Sequence, residues 1–155
     1  MIPESATLAY KNPPFATLLP ISYRYTRSHL WAAQLPGRGW RFGFTQFATR
    51  MLGEIVDFNF EAPAGAAVHP GQVLGWMEGF KGISDLICAA AGVFRGGNAA
   101  LSADPELVTR RPYSEGWLYE IDGELEPESF DVHAYARHLE ATIQKLRARP
   151  AAPPE

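Results

Sequence analysis

Three lysines stand against eleven arginines in this chain of 155 residues, so chemistry that needs a primary amine has few addresses. Lys11 lies in a proline-rich stretch and Lys145 near the end of an amphipathic one, both ordinary solvated positions. Lys81 is different. It sits in Gly79-Phe80-Lys81-Gly82, between two apolar runs that would pair as a hairpin. Glycines flanking a two-residue tip permit the positive φ values that tight hairpins use. An amine held there is exposed, rigidly presented and reachable from several directions, which suits covalent attachment of a carrier arm. Taken alone, the stretch reads first as a solvated hairpin lysine.

Other chemistry finds less support. His133 and His138 are five apart, about 140° around a helix, and cannot share a ligand face. His29 and His69 lie among apolar residues and read as hydrogen-bonded structural histidines. No cysteine pair accompanies them, so no metal site is expected. Cys88, the single cysteine, has no charged neighbour in Leu-Ile-Cys-Ala-Ala-Ala to lower its pKa, and reads as a small buried hydrophobe. Gly37-Arg-Gly-Trp-Arg-Phe-Gly43 places Phe42 where a dinucleotide fingerprint needs glycine, and no Gly-x-Ser-x-Gly elbow occurs. No catalytic residue is therefore assigned, and the chain is not expected to be an enzyme in its own right.

The elements that must position Lys81 are mostly strands. Tyr23–Tyr25, Leu30–Gln34 and Trp40–Phe44 are short apolar stretches punctuated by Pro36, Gly37 and Gly39. Thr45 is placed to cap a short helix, Gln46 to Leu52, with Phe47 and Met51 four apart and Gly53 as its stop. Glu54–Phe60 alternates Val56, Phe58 and Phe60 against Ile55, Asp57 and Asn59, as a half-buried strand does. Val73–Glu78, Ile83–Ile87, Gly92–Phe94 and Gly116–Ile121 are further strand candidates. From Phe130 to Arg147, Val132, Tyr135, Ala136, Leu139, Ile143 and Leu146 recur at helical spacing, behind Ser129 as a cap. Residues 1–22, broken by Pro3, Pro13, Pro14 and Pro20, read as an irregular N-terminal arm. Residues 23–147 then form one domain, and 148–155 a mobile proline-rich tail.

Composition bounds the partners. A formal charge of -3 disfavours nucleic acid, which asks for clustered positive charge. The longest uncharged apolar run, Ile87 to Phe94, is too short to span a bilayer, and no membrane partner is expected. Nothing near the start has the form of a targeting segment, and a lone cysteine fits a reducing compartment, so a cytoplasmic protein is expected.

From about Tyr25 to Ile121 the chain resembles the H protein of the glycine cleavage system, a lipoyl carrier. Tyr25-Thr-Arg-Ser-His29-Leu-Trp31 resembles the family's opening tyrosine and His-Glu-Trp segment. Gly43-Phe-Thr45 with Leu52-Gly53-Glu54-Ile55-Val56 resembles its Gly-Ile-Thr and Leu-Gly-Asp/Glu-Ile/Val-Val segments. Glu78-Gly-Phe-Lys81-Gly-Ile-Ser84-Asp85 resembles the modification segment Glu-Ser-Val-Lys-Ala-x-Ser-Asp, and Pro112-Tyr113-Ser-Glu-Gly116-Trp117 follows in order. The resemblance implies a mainly β (α+β) barrel-sandwich hybrid, with a short helix after the first strands and a C-terminal amphipathic helix. It further implies lipoate on Lys81 through an amide, with Glu78, Ser84 and Asp85 flanking it for recognition, and a lipoate-attaching enzyme as partner. A biotin carrier has a similar barrel but typically sets its lysine between methionines, whereas Lys81 lies between Phe80 and Gly82.

The departures bear on the cargo. Leu30 stands where the family's His-Glu-Trp segment has its glutamate, in the cleft that receives the aminomethylated arm. A leucine cannot pair with a cationic amine. Thr109 replaces an Asn before Pro-Tyr, Ala89-Ala90-Ala91 replaces a proline-containing turn, and Trp76 and Phe80 would enclose the arm. These changes resemble the lipoate-binding proteins of bacterial sulfur oxidation, which implies a sulfur cargo and a heterodisulfide-reductase-like complex. The alternatives are the H protein role itself, with the glycine cleavage enzymes and a dihydrolipoamide dehydrogenase as partners, and an unmodified binding scaffold.

Overall fold

A computed structural model describes residues 6–148. In chain order the elements are β1 (Thr7–Asn12), β2 (Phe15–Pro20), β3 (Arg24–Tyr25), β4 (Leu30–Gln34), β5 (Gly39–Phe44), α1 (Gln46–Leu52), β6 (Ile55–Phe60), β7 (Ala67–Val68), β8 (Val73–Gly79), β9 (Gly82–Ile87), β10 (Ala90–Gly97), α2 (Ala100–Ala103), α3 (Leu107–Arg110), β11 (Tyr119–Leu125) and α4 (Val132–Ala148). A six-stranded sheet runs β3-β4-β5-β11-β10-β7, and a three-stranded sheet runs β6-β8-β9. Leu30, Phe42, Phe44, Met77, Leu86, Phe94, Tyr119 and Ile121 meet in one buried cluster, with contributions from both sheets. This is the mainly β barrel-sandwich arrangement, with a short helix after the first strands and a C-terminal helix, that the sequence led us to expect.

A second cluster lies under α4, where Tyr135, Leu139 and Ile143 meet Tyr25, Trp31 and Phe47. Tyr25 and Tyr135 stack with ring centroids 4.7 Å apart and an interplanar angle of 9°. The helical period in the sequence marked the right face of α4, but not its cap. The Ala134 N–H donates to Asp131 Oδ1 at 2.8 Å, whereas the Ser129 hydroxyl and carbonyl accept from Arg24. Asp131→Ala is therefore expected to cost about 1 kcal/mol, read as a lowered urea midpoint at unchanged slope.

The N-terminal segment departs most from expectation. Residues 7–20 are not an irregular arm but an antiparallel hairpin, Tyr10 paired with Thr17 and Asn12 with Phe15. The prolines misled because they occupy positions that need no ladder donor. Pro13 and Pro14, joined by a cis peptide bond, form the tip, and Pro20 ends β2. An isolated two-stranded hairpin is marginal in water. This one buries Tyr10, Phe15 and Leu19 in the second cluster, a contribution of about 1.5–3 kcal/mol for each large side chain. Tyr10 also donates to Glu140 Oε1 at 2.7 Å, tying the hairpin to α4. The proline-rich tail lies outside the described residues from position 149 onward.

Two further local expectations change. A register shift in the β6–β8 ladder between Ile55 and Asp57 turns Ile55 into the core with the half-buried Phe58 and Phe60, and leaves Val56 exposed. On α1, Phe47 is buried but Met51 is exposed. Among the described residues no helix is long and apolar enough to cross a membrane.

Candidate functional site

The β8–β9 hairpin carries Lys81 at its tip, Gly79 pairing with Gly82. The tip is held from its main chain. Phe80 N–H donates to the Glu54 carbonyl and Lys81 N–H to the Leu52 carbonyl, each at 2.9 Å, so the connection between α1 and β6 forms the seat. The flanking glycines do not act as expected, because neither Gly79 nor Gly82 has positive φ. Gly79 is required by close approach: a Cβ there would overlap the Leu52 carbonyl, whereas one at Gly82 meets nothing within 4 Å. The positive φ, 74°, belongs to Gly53, where a Cβ would press at 3.0 Å on Lys81 Cγ.

α1 is set by a distant residue. Thr45 has N-cap backbone geometry but no capping side-chain bond, since its hydroxyl meets Tyr135 Oη at 2.8 Å. The free N–H of Gln46 donates instead to Tyr113 Oη at 2.9 Å. At the other end, Gly53 N–H returns to the Thr49 carbonyl at 2.9 Å and stops the helix where the Lys81 seat begins.

The Lys81 side chain is exposed, and its stem passes Gly53 toward α1. Nζ donates to the Arg50 carbonyl at 3.4 Å, a long bond, and among the described residues no carboxylate forms an ion pair with it. It lines a groove of about 390 Å³ with Gln46, Arg50, Glu54, Glu106 and Thr109. On this geometry the amine is available to an acylating enzyme, with a peptide backbone fixed beneath it.

The flanking residues divide between positions. Glu78 is exposed, facing Ile83 on β9 and Asp57 on β6. Asp57 therefore adds an acid that sequence proximity did not reveal. Asp85 is also exposed, opposite Trp76, and the Ser84 hydroxyl donates to the Asp85 carbonyl at 3.0 Å. Phe80 encloses nothing at the tip, being 76% exposed, and Ile83, Val56 and Met51 are exposed apolar neighbours on adjoining segments.

A second concavity, about 280 Å³, is lined by Ser28, Leu30, Phe44, Ser84, Asp85 and Ile87. Leu30, 1% exposed and paired with Phe44, supplies apolar surface from the β4–β5 side, and Ser84 and Asp85 supply the β9 side. Leu30 by itself gives a cationic amine no partner in this cleft. Asp85 lines the same cleft and can meet a cationic amine there, although no sequence spacing relates positions 30 and 85.

Beside Ser28, the strained backbone of His29 (φ 66°) directs its ring inward, where Nδ1 lies 2.8 Å from Tyr135 Oη. His138 stacks on it with ring centroids 5.1 Å apart, and its Nε2 lies 3.1 Å from the Arg27 carbonyl. Burial, reinforced by His138, lowers the His29 pKa to about 4. The unfolded chain therefore binds the His29 proton more readily than the native one. Its contribution is fully present above the unfolded pKa of about 6.5 and is lost as pH falls toward 4. The expected loss is at most about 3 kcal/mol between pH 7 and pH 4, and His29→Gln should flatten that part of the pH–stability curve.

Cys88 is fully buried, its thiol donating to the Ala90 carbonyl at 3.0 Å, and burial raises its pKa. Among the described residues no three His, Cys, Asp or Glu side chains gather so as to hold a metal ion.

The family model described as "Glycine cleavage H-protein" matches residues 23–145. The glycine cleavage system H protein of Rubrobacter xylanophilus is 35% identical over 122 residues, 79% of this chain and 95% of that protein. That of Chlorobium phaeobacteroides is 36% identical over 127 residues, 79% and 98% of the two chains. The crystal structure of a glycine cleavage system H protein from Mycobacterium marinum superposes with a TM-score of 0.71 at 31% identity, covering 79% of this chain and 99% of that one.

Proposed function

Because the chain belongs to the glycine cleavage H-protein family, whose members carry lipoate covalently on a lysine, we propose that Lys81 is its attachment site and that it carries the aminomethyl group between the glycine cleavage enzymes. The observation that carries this reading is the seating of the tip. Lys81 is fixed through its own N–H and that of Phe80, yet its amine is exposed and, among the described residues, without an ion-pair partner. A carrier needs that combination, because an attaching enzyme and later partners must each find the same nitrogen in the same place. Glu78 and Asp57 on one side, with Asp85 on the other strand, give the tip an acidic setting for recognition by the lipoate-attaching enzyme.

When bound, lipoate supplies a disulfide whose ring forces the C–S–S–C dihedral away from its preferred value of about 90°, making it easily opened. The chain's part is to present, tether and park. Tethering converts encounters with successive enzymes into effectively intramolecular steps. Asp85 and Ser28, on facing sides of the cleft, are placed to hold a protonated amine, while Leu30, Phe44 and Ile87 cover the apolar stem.

A sulfur cargo is the second reading, and Leu30 is the observation that favours it, since apolar surface suits an adduct without an ammonium group. Asp85 weighs the other way, and the relatives named above are glycine cleavage H proteins. Aminomethyl transfer is therefore the reading adopted. Its test is reconstitution of glycine cleavage with the lipoylated chain as the only H protein. Turnover comparable to that with an authentic H protein supports it. A lipoylated chain that supports none overturns it in favour of another cargo, and a chain that a lipoate ligase leaves at its bare mass supports the scaffold reading.

A further inference from the structure

Residues 7–20 lie outside the 23–145 match, yet they form an ordered hairpin against the helix that seats Lys81. Phe15 meets Phe47 edge-on at 5.7 Å, and the Arg50 guanidinium lies over the Phe15 ring at 5.5 Å. The inner face of the hairpin is accounted for by the core. Its outer face is not: Ala9 pairs with Leu18 and Lys11 with Ala16, and Leu18 is 59% exposed. These side chains, together with Tyr10, Thr17 and Gln46 of α1 at the hairpin's edge, line a groove of about 250 Å³.

Gln46 also lines the groove that holds Lys81, so the two grooves adjoin. Lys81 Nζ already points to this side, toward the Arg50 carbonyl rather than the Asp85 cleft. Gln46 precedes Arg50 by four residues, about 6 Å along a helix axis. A lipoyl chain extended from Nζ reaches about 9 Å, which spans that turn. After acylation the amide N–H keeps one donor for the Arg50 carbonyl, which would hold the amide nitrogen beside α1 while the acyl chain leaves it along its own bond.

We infer that the groove between the N-terminal hairpin and α1 is a second resting site, which takes the uncharged lipoyl arm and places its ring against Leu18. This rests on lipoylation of Lys81. The two concavities then differ in the charge they accept. The Asp85 cleft offers a carboxylate to a protonated amine, whereas the hairpin groove offers methyl and isobutyl groups beside the cationic Lys11. A neutral disulfide arm fits the second, and an ammonium-bearing arm is turned away from it toward the first.

The test compares unmodified and oxidised lipoyl forms of the full-length protein by amide NMR, after intact mass has established the adduct. Lipoylation should shift Ala9, Ala16, Leu18 and Gln46. Leu18→Glu, an exposed change that leaves the inner hairpin face intact, should abolish those shifts. It should also speed reduction of the arm by dithiothreitol about threefold, as release from a site occupied roughly two-thirds of the time would. Shifts confined to Ser28, Leu30 and Asp85, or absent altogether in a lipoylated chain, overturn the second site and leave the carrier reading standing. Unchanged reduction in Leu18→Glu does the same. A bare mass overturns the carrier reading and the second site together.

Discussion

Lys81→Arg is expected to fold as the parent does and to acquire no lipoyl mass after co-expression with a lipoate ligase. The backbone anchors from Phe80 and Lys81 do not involve the side chain, and Nζ makes only the long bond to the Arg50 carbonyl. Stability should therefore change by no more than about 0.5 kcal/mol. A guanidinium stays protonated and offers no nucleophilic amine, so attachment is lost altogether rather than slowed. Glycine cleavage reconstituted with this variant should fall to the level without any H protein. Lys11→Arg and Lys145→Arg should each keep the full adduct. A lipoyl mass on the Lys81→Arg chain would place the modification elsewhere and overturn the assigned site.

Gly79→Val is expected to have the largest effect of any single change near the tip that leaves Lys81 itself in place. Its Cβ would overlap the Leu52 carbonyl, and that carbonyl is the acceptor for Lys81 N–H. The backbone must separate, which loosens the Phe80 and Lys81 anchors together. At about 0.5–1.5 kcal/mol net for each hydrogen bond, with strain added, the cost is about 2–4 kcal/mol. Thermal unfolding should reveal it as a fall of roughly 5–15 °C for a chain of this length. Lipoylation should slow as well, because the lysine is no longer held in one place. Gly82→Ala is the matched control. A Cβ there meets nothing within 4 Å, and the change should stay within about 0.5 kcal/mol with normal attachment. Equal behaviour of the two variants would mean that the seat on the α1–β6 connection does not position the lysine.

Much of the fold was legible because its signals are local. The 3.6-residue recurrence of Tyr135, Leu139 and Ile143 marked the buried face of α4. Short apolar runs between glycines and prolines marked β4, β5, β8 and β9. The N-terminal hairpin escaped because its prolines, normally strand breakers, fall at the tip and at the end of β2. The alternation of Phe15, Thr17 and Leu19 was present in the sequence and would have shown a strand had Pro13, Pro14 and Pro20 not dominated the reading.

The candidate site was legible as a segment and not as a place. Glu78, Lys81, Ser84 and Asp85 lie within eight residues, so their common hairpin followed from spacing. What surrounds them comes from far along the chain. Tyr113 caps a helix 67 residues earlier, His138 stacks on His29, and Asp85 shares a cleft with Leu30. Leu30 taken without the carboxylate that the fold brings opposite it is an incomplete guide to the cargo.

The sequence by itself determined the chain's β-rich class and the long closing helix, and it singled out Lys81 as the lysine proposed to carry an arm. Those rest on residue type and short-range period, which act within a strand or a turn of helix. The tertiary structure decided why Gly79 must be glycine, which carbonyls seat Lys81, where the free amine points and what lines the concavities beside it. Each is a contact between elements distant in sequence, and packing the two sheets with α1, α4 and the N-terminal hairpin brings their residues together.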